Sequence, residues 1–180
     1  MILSPTRLTG VLVVELELLC DERGFFARTF DRAAFVEAGL DPIIEQCNLS
    51  YNRRAGTVRG MHYQGPPGAE AKLVRCTAGA ILDTVVDVRY TSPTYLESFS
   101  VELSAANRKA LYVPPMFAHG FQTLLDSTEV AYQMSQAYAP GTDRGLRHDD
   151  PALGLRWPLP VTIISARDTS WPLLTAQGSP

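Results

Sequence analysis

At 180 residues the chain is long enough to bury one hydrophobic core without disulfide or metal staples, so one domain is the starting expectation. A composition that is 46% hydrophobic and 19% charged excludes an intrinsically disordered chain. The 16 basic and 19 acidic residues are interleaved and sum to −3, which excludes a uniform basic field for nucleic acid but leaves room for a small anion such as a pyrophosphate.

Met1 is followed by a polar stretch with neither a basic nor an apolar leader region, and no apolar run reaches the roughly 18 residues of a membrane span. No membrane association is expected, and the cytoplasm is the expected compartment. Residues 11–19 are mostly β-branched or aliphatic, with Glu15 and Glu17 alternating in the later half, and read as a strand that Asp21 to Gly24 breaks. Residues 31–40 read as a helix, short and peripheral: Asp31 suits the N-cap, residues 33–36 favour or tolerate helix, and Gly39 suits a left-handed C-terminal position.

Strand patterns then recur at residues 43–49, 57–63, 71–77, 81–89, 98–103, 109–113, 120–124, 130–138 and 161–164, separated by Gly, Pro, Asn or Ser clusters. The prolines at 66, 67, 93, 114, 115, 140 and 151 fall between these runs, where a missing amide donor does least harm. Short, regularly spaced strands with turn signals predict an all-β antiparallel jelly roll, with residues 175–180 as a frayed tail. Cys20, Cys47 and Cys76 are odd in number and lack CxxC spacing, so they are read as reduced core thiols.

Several polar residues interrupt this pattern. Arg59-Gly60-Met61-His62-Tyr63-Gln64 sits in a strand-like run, and strict alternation puts His62 and Gln64 on one face and Arg59 on the other, unless Gly60 marks a bulge. His62 alone is equally a satisfied sheet histidine. Lys72, between Ala71 and Leu73, is either partly buried, with a shifted pKa or an anionic partner, or an edge-strand lysine that discourages aggregation. Asp83 and Asp87, four apart among Val and Ile, share one strand face and need partners if buried. Even spacing places Val130, Tyr132, Met134, Gln136 and Tyr138 on one face, either as phenols on a pocket wall or as aromatic packing.

Residues 114–121, a proline turn followed by His119 entering a strand, resemble the second motif of cupin folds. That motif often supplies a metal ligand, but His62, His119 and His148 are the only histidines and form no HxH, which argues against a metal site.

Taken together, these segments resemble the dTDP-4-dehydrorhamnose 3,5-epimerase family over nearly the whole chain. The resemblance rests on residues 21–26, 46–50, 58–64, 72–75 and 117–121, the spacing of Tyr132 and Tyr138, Asp149-Asp150-Pro151, Trp157-Pro158 and residues 165–168. It implies a cupin-type double-stranded β-helix with a few short peripheral helices, a homodimer with strand exchange, and an epimerase of a nucleotide-linked 4-keto-6-deoxyhexose that needs no metal or diffusible cofactor. By the same resemblance His62 is the general base, oriented by Asp168, with Tyr132 as the acid on the opposite face and Lys72 near the carbonyl oxygen. Arg23, Phe26, Gln46, Cys47, Asn48, Arg59, His119, Asp143 and Arg167 would hold the nucleotide and sugar, with Tyr138 stacking on the base.

One position departs from the family, which commonly has glutamate where this chain has Arg28. Arginine cannot accept the thymine N3 proton but can donate to cytosine or guanine acceptors, so relaxed base selectivity towards CDP or GDP sugars is one expectation, and a phosphate contact is the other. The rival readings are a monofunctional C3- or C5-epimerase on the same scaffold, a metal-dependent cupin isomerase or oxygenase, and a noncatalytic sugar-nucleotide binding module.

Overall fold

The computed structural model of the chain describes residues 1–174; the expected frayed tail, residues 175–180, lies outside them. Thirteen strands and two short helices follow in the order β1 (Ile2–Pro5), β2 (Leu12–Glu15), β3 (Leu19–Asp21), β4 (Gly24–Phe26), α1 (Arg32–Glu37), β5 (Gln46–Asn52), β6 (Val58–Gln64), β7 (Lys72–Ala78), β8 (Ala80–Asp87), β9 (Ser98–Ser104), β10 (Ala110–Val113), β11 (Phe117–Thr123), β12 (Thr128–Met134), β13 (Asp143–Gly145) and α2 (Ala166–Thr169). No helix among the described residues is long and apolar enough to cross a membrane.

The strands form two antiparallel sheets, β1-β2-β10-β7-β12-β5 and β13-β6-β11-β8-β9, while among the described residues β3 and β4 pair only with each other. The eight strands from β5 to β12 split four and four, β10-β7-β12-β5 against β6-β11-β8-β9, which is the predicted jelly roll. Alternation along each strand creates the layers. Val74, Cys76, Leu111, Val113 and Val130 of the first sheet meet Ile81, Val85, Leu103, Phe117 and Phe121 of the second in one buried cluster. Leu73, Ala110 and Tyr112 point the other way and pack with Phe35 of α1, whereas Met61, Val86 and Ala118 pack under Leu146 and Leu153.

The helix begins as predicted, with Asp31 accepting from the amides of Ala33 and Ala34, and Gly39 beyond its end has φ +70°. It is peripheral only in position, because Phe35 is buried edge-on to both Phe30 and Tyr112, a burial worth roughly 2–3 kcal/mol.

Several expectations need correction. The run 11–19 is two strands, β2 and β3, and β1 carries too few periodic residues to be read as a strand from sequence. The run 161–164 contributes one isolated bridge, Ile163 to Thr57, instead of a strand. β12 ends at Met134, so Tyr138 lies beyond it and the alternation argument for that residue fails. Of the three free thiols only Cys76 is buried; Cys20 and Cys47 are exposed.

Candidate active site

The register between β6 and β11 determines what faces the cavity between the sheets. His62 pairs with His119 and Arg59 with Phe121, so three steps along β6 match two along β11. The extra residue is a bulge, and it turns Arg59 and His62 to the same side. Gly60 makes it possible: its φ is +122°, and a Cβ there would lie 2.5 Å from the Gly120 Cα and 2.8 Å from the His119 carbonyl oxygen. The strict-alternation reading, which separated Arg59 from His62, is thereby overturned, and the bulge reading holds.

Arg59, His62, Lys72, His119, Tyr132, Arg167 and Asp168 line one cavity of about 590 Å³, together with Asn48, Ser50, Phe121 and Met134. His62 Nε2 lies 2.6 Å from Asp168 Oδ1. Asp168 sits in the first turn of α2, where Ser165 caps the helix by accepting from the Asp168 amide, and the Gly60 amide donates to its Oδ2. Burial pushes the Asp168 carboxyl up, but the hydrogen bond and charge of His62 with the Gly60 and Ser165 contacts outweigh it and hold the group below the usual carboxylate range. An ionised Asp168 accepts from Nε2–H, which leaves the Nδ1 lone pair for a proton. The ring is partly open, its side chain 41% exposed.

Tyr132 enters from the other sheet and makes an edge contact with the His119 ring, centroids 6.2 Å apart. Burial drives the Tyr132 phenol well above its ordinary value, and Ser50 Oγ lies 3.3 Å from its hydroxyl. Its proton therefore stays in place until an anion nearby claims it. His119 Nε2 is 2.7 Å from Asp83 Oδ1, and Arg59 Nε donates to Asn52 Oδ1 at 2.7 Å. Lys72 is buried among these groups; burial pushes its pKa below the usual lysine value, and the neighbouring Glu70 and Asp83 charges offset only part of that shift. The recess thus has an imidazole on one wall and a buried phenol on the other, with Lys72 between acidic and basic neighbours.

A smaller lobe of about 150 Å³ adjoins the recess and shares His62, Lys72, Asn48 and Arg167 with it. Gln46, Tyr138 and Asp143 line this lobe. Gln46 Oε1 accepts from the Tyr138 amide at 3.0 Å, and the Tyr138 hydroxyl donates to Asp143 Oδ2 at 2.8 Å. Asp143 also lies 3.4 Å from Arg167.

Four predicted residues stand apart from both lobes. Cys47 alternates to the outer side of β5 and is exposed. Arg23 and Phe26 lie on the β3–β4 hairpin, where every residue of both strands is exposed, and Arg23 pairs with Asp21. Arg28 pairs with Asp31 Oδ2 at 2.7 Å, beside the helix cap.

Sequence reasoning missed Asn52, Ser50 and Glu70, the partners of Arg59, Tyr132 and Lys72. Ser50 was within reach, since it alternates with Asn48 on the same face of β5; Asn52 was not, because its meeting with Arg59 depends on the turn between β5 and β6. Among the described residues no three of His, Cys, Asp and Glu stand together in a way that could hold a metal ion, and His62 and His119 each bond a separate carboxylate.

The family profile described as dTDP-4-dehydrorhamnose 3,5-epimerase matches residues 5–176. A dTDP-4-dehydrorhamnose 3,5-epimerase from Sinorhizobium fredii is 46% identical over 86% of this chain and 80% of its own. The solved structure of such an enzyme from Bacillus anthracis, with TDP and PPi bound, superimposes with a TM-score of 0.92 at 38% identity, covering 96% of this chain and 98% of that one. A dTDP-4-dehydrorhamnose 3-epimerase from Streptomyces niveus is 37% identical over 92% of this chain and 80% of its own. The match spans the jelly roll and both lobes of the cavity, and the chain belongs to the dTDP-4-dehydrorhamnose 3,5-epimerase family.

Proposed function

We propose that the protein inverts C3 and C5 of a dTDP-linked 4-keto-6-deoxyhexose, of the dTDP-4-dehydro-6-deoxyglucose to dTDP-4-dehydrorhamnose type, with His62 as base and Tyr132 as acid. The observation that carries this reading is the placement of the two groups: His62 stands on one sheet and Tyr132 on the other, across one cavity that Lys72 also enters. A 4-keto group acidifies the protons on C3 and C5. Transfer of one to His62 Nδ1 leaves an enolate with its charge on O4, and return of a proton from the facing Tyr132 inverts the carbon.

A positioned base contributes about 10²- to 10⁴-fold. A cation facing O4 adds roughly 3–4 kcal/mol, the magnitude seen for oxyanion donors, and Lys72 takes that role. The imidazolium and the phenolate then re-equilibrate with solvent, so solvent hydrogen enters the product. Arg59, Arg167, Asn48 and His119 are the groups for sugar and diphosphate, and the lobe holding Gln46, Tyr138 and Asp143 suits the nucleoside.

The exposed hairpin supports a homodimer. Leu19 and Phe26 are 67% and 68% exposed, a cost that a second copy would remove while delivering Arg23 and Phe26 to its site. Three free cysteines, two of them exposed, suit a reducing compartment such as the cytoplasm.

The test is incubation with dTDP-4-keto-6-deoxyglucose in D₂O, following deuterium at C3 and C5 by NMR beside a His62→Ala control. Deuterium at both centres, lost in the control, is the expected result. Deuterium at one centre alone establishes the monofunctional reading, to which the 3-epimerase relative points, and tight ligand binding with no exchange leaves a binding module.

A further inference from the structure

Lys72 has a buried counter-charge of its own behind it, as His62 has Asp168 and His119 has Asp83. Glu70 lies just before β7 and is 7% exposed; its Oε1 stands 3.3 Å from Lys72 Nζ. The other carboxylate oxygen accepts from Gln64 Nε2 at 2.5 Å. Gln64 is itself fixed, because its Oε1 accepts from the Ala139 amide at 3.0 Å and from Thr142 Oγ1 at 2.9 Å. Each oxygen of Glu70 is therefore committed, one to the lysine and one to a braced amide. The lysine ammonium also donates to the His62 carbonyl oxygen at 3.4 Å, which directs it towards the strand that bears the base.

We propose that Glu70 is a positioning residue that keeps Lys72 charged and aimed at the keto oxygen of the substrate, with Gln64 fixing the orientation of the carboxylate. This rests on the reading of the cavity as an epimerase site, and it adds a residue to which that reading gives no role. The physical reason is that burial strips water from the ammonium and favours the neutral amine, which cannot stabilise an enolate oxygen. Lys72 contacts Glu70 and the His62 carbonyl directly and feels the charge of Asp83 on β8; the other titratable or charged groups lining its cavity are Arg59 and His62 on β6, His119 on β11, Tyr132 on β12, and Arg167 and Asp168 on α2. Asp83 gives Oδ1 to His119 and, among the described residues, makes no ion pair with the ammonium, whereas Glu70 contacts it directly. Glu70 is thus the stronger guard of the lysine charge.

The chain contains two lysines, Lys72 and Lys109, so protein carrying [¹³Cε]lysine gives two signals, and Lys72→Arg identifies one of them. Glu70→Gln keeps the shape and one hydrogen bond but removes the charge. The midpoint of the Lys72 titration is expected to fall by about 1–3 pH units in this variant, the usual effect of an opposite charge at contact distance. The alkaline limb of kcat/KM for deuterium exchange should move down with it, while the Lys109 signal stays fixed. If Glu70→Gln does not fold, Glu70→Asp, which withdraws the carboxylate by one methylene, should shift the midpoint in the same direction by less.

An unchanged Lys72 midpoint overturns the inference whatever the activity. Absence of exchange in the unaltered protein overturns the epimerase reading instead, and the NMR titration still decides the Glu70 to Lys72 coupling.

Discussion

Asp168 and His62 are 106 residues apart in sequence and 2.6 Å apart in space. The carboxylate contributes through the imidazole, by holding the proton on Nε2 and leaving Nδ1 free. Asp168→Asn is expected to lower kcat about 10²- to 10⁴-fold with little change in KM, because an amide presents no fixed acceptor and no charge to the developing imidazolium. The double variant with His62→Ala should be no slower than His62→Ala alone, since the two act as a unit. Steady-state kinetics on the three variants checks this, and a further loss in the double variant would give Asp168 an independent role.

Gly60 predicts a sharp steric limit. Alanine there must keep φ at +122° and push its Cβ against the Gly120 backbone 2.5 Å away, so Gly60→Ala should lose about 3 kcal/mol or more in urea unfolding. Gly120→Ala meets the Arg59 carbonyl oxygen and the Met61 sulfur, both at 2.7 Å, and should behave alike. Stability equal to that of the unaltered protein would show that β6 and β11 do not approach this closely.

Asp87 anchors the loop after β8 and gives a pH prediction. It is fully buried and accepts from Arg89 Nε and Nη2, Ser92 Oγ, Thr94 Oγ1 and the Arg89 amide. Burial alone would raise its pKa, but these donors outweigh it and hold the carboxyl below the usual range. A depressed pKa stabilises the fold fully above the unfolded value of about 4 and loses that contribution as pH falls towards the folded value. Asp87→Asn should therefore lose about 3 kcal/mol at pH 7, with the gap to the unaltered protein narrowing below about pH 4. Chemical denaturation at pH 7 and pH 3 measures both, and an equal gap at the two values would contradict the assignment.

Arg28 gives a prediction on base selectivity. By the family resemblance it takes a position where glutamate is common, and in the single chain its guanidinium is tied to Asp31. Arg28→Glu places a carboxylate beside Asp31, costing about 0.5 kcal/mol of helix stability, and supplies an acceptor for thymine N3. The ratio of dTDP to CDP and GDP affinity, measured by calorimetry, should rise in the variant. An unchanged ratio would remove Arg28 from base recognition.

Sequence alone determined the jelly roll, because alternation of apolar residues, turn residues and the Asp31 cap act over a few positions and survive translation into any register. It also singled out His62, Lys72, Tyr132 and Asp168, which the structure brings to one cavity, through family resemblance more than through any local pattern, since each has an ordinary structural use. What only the tertiary structure decided was which side chains meet. The bulge at Gly60 brings Arg59 to the side of His62, and no local pattern specifies a register shift against a strand some 60 positions away. Asn52 and Glu70 went unread as partners although they stand only seven and two positions from Arg59 and Lys72, because those contacts depend on side-chain directions that the turn after β5 and the entry into β7 fix. The hairpin carrying Arg23 and Phe26 marks the other limit: the resemblance put both residues in the site, whereas the described chain holds them exposed and apart from it, because an exposed strand pair has no packed neighbour to fix it there.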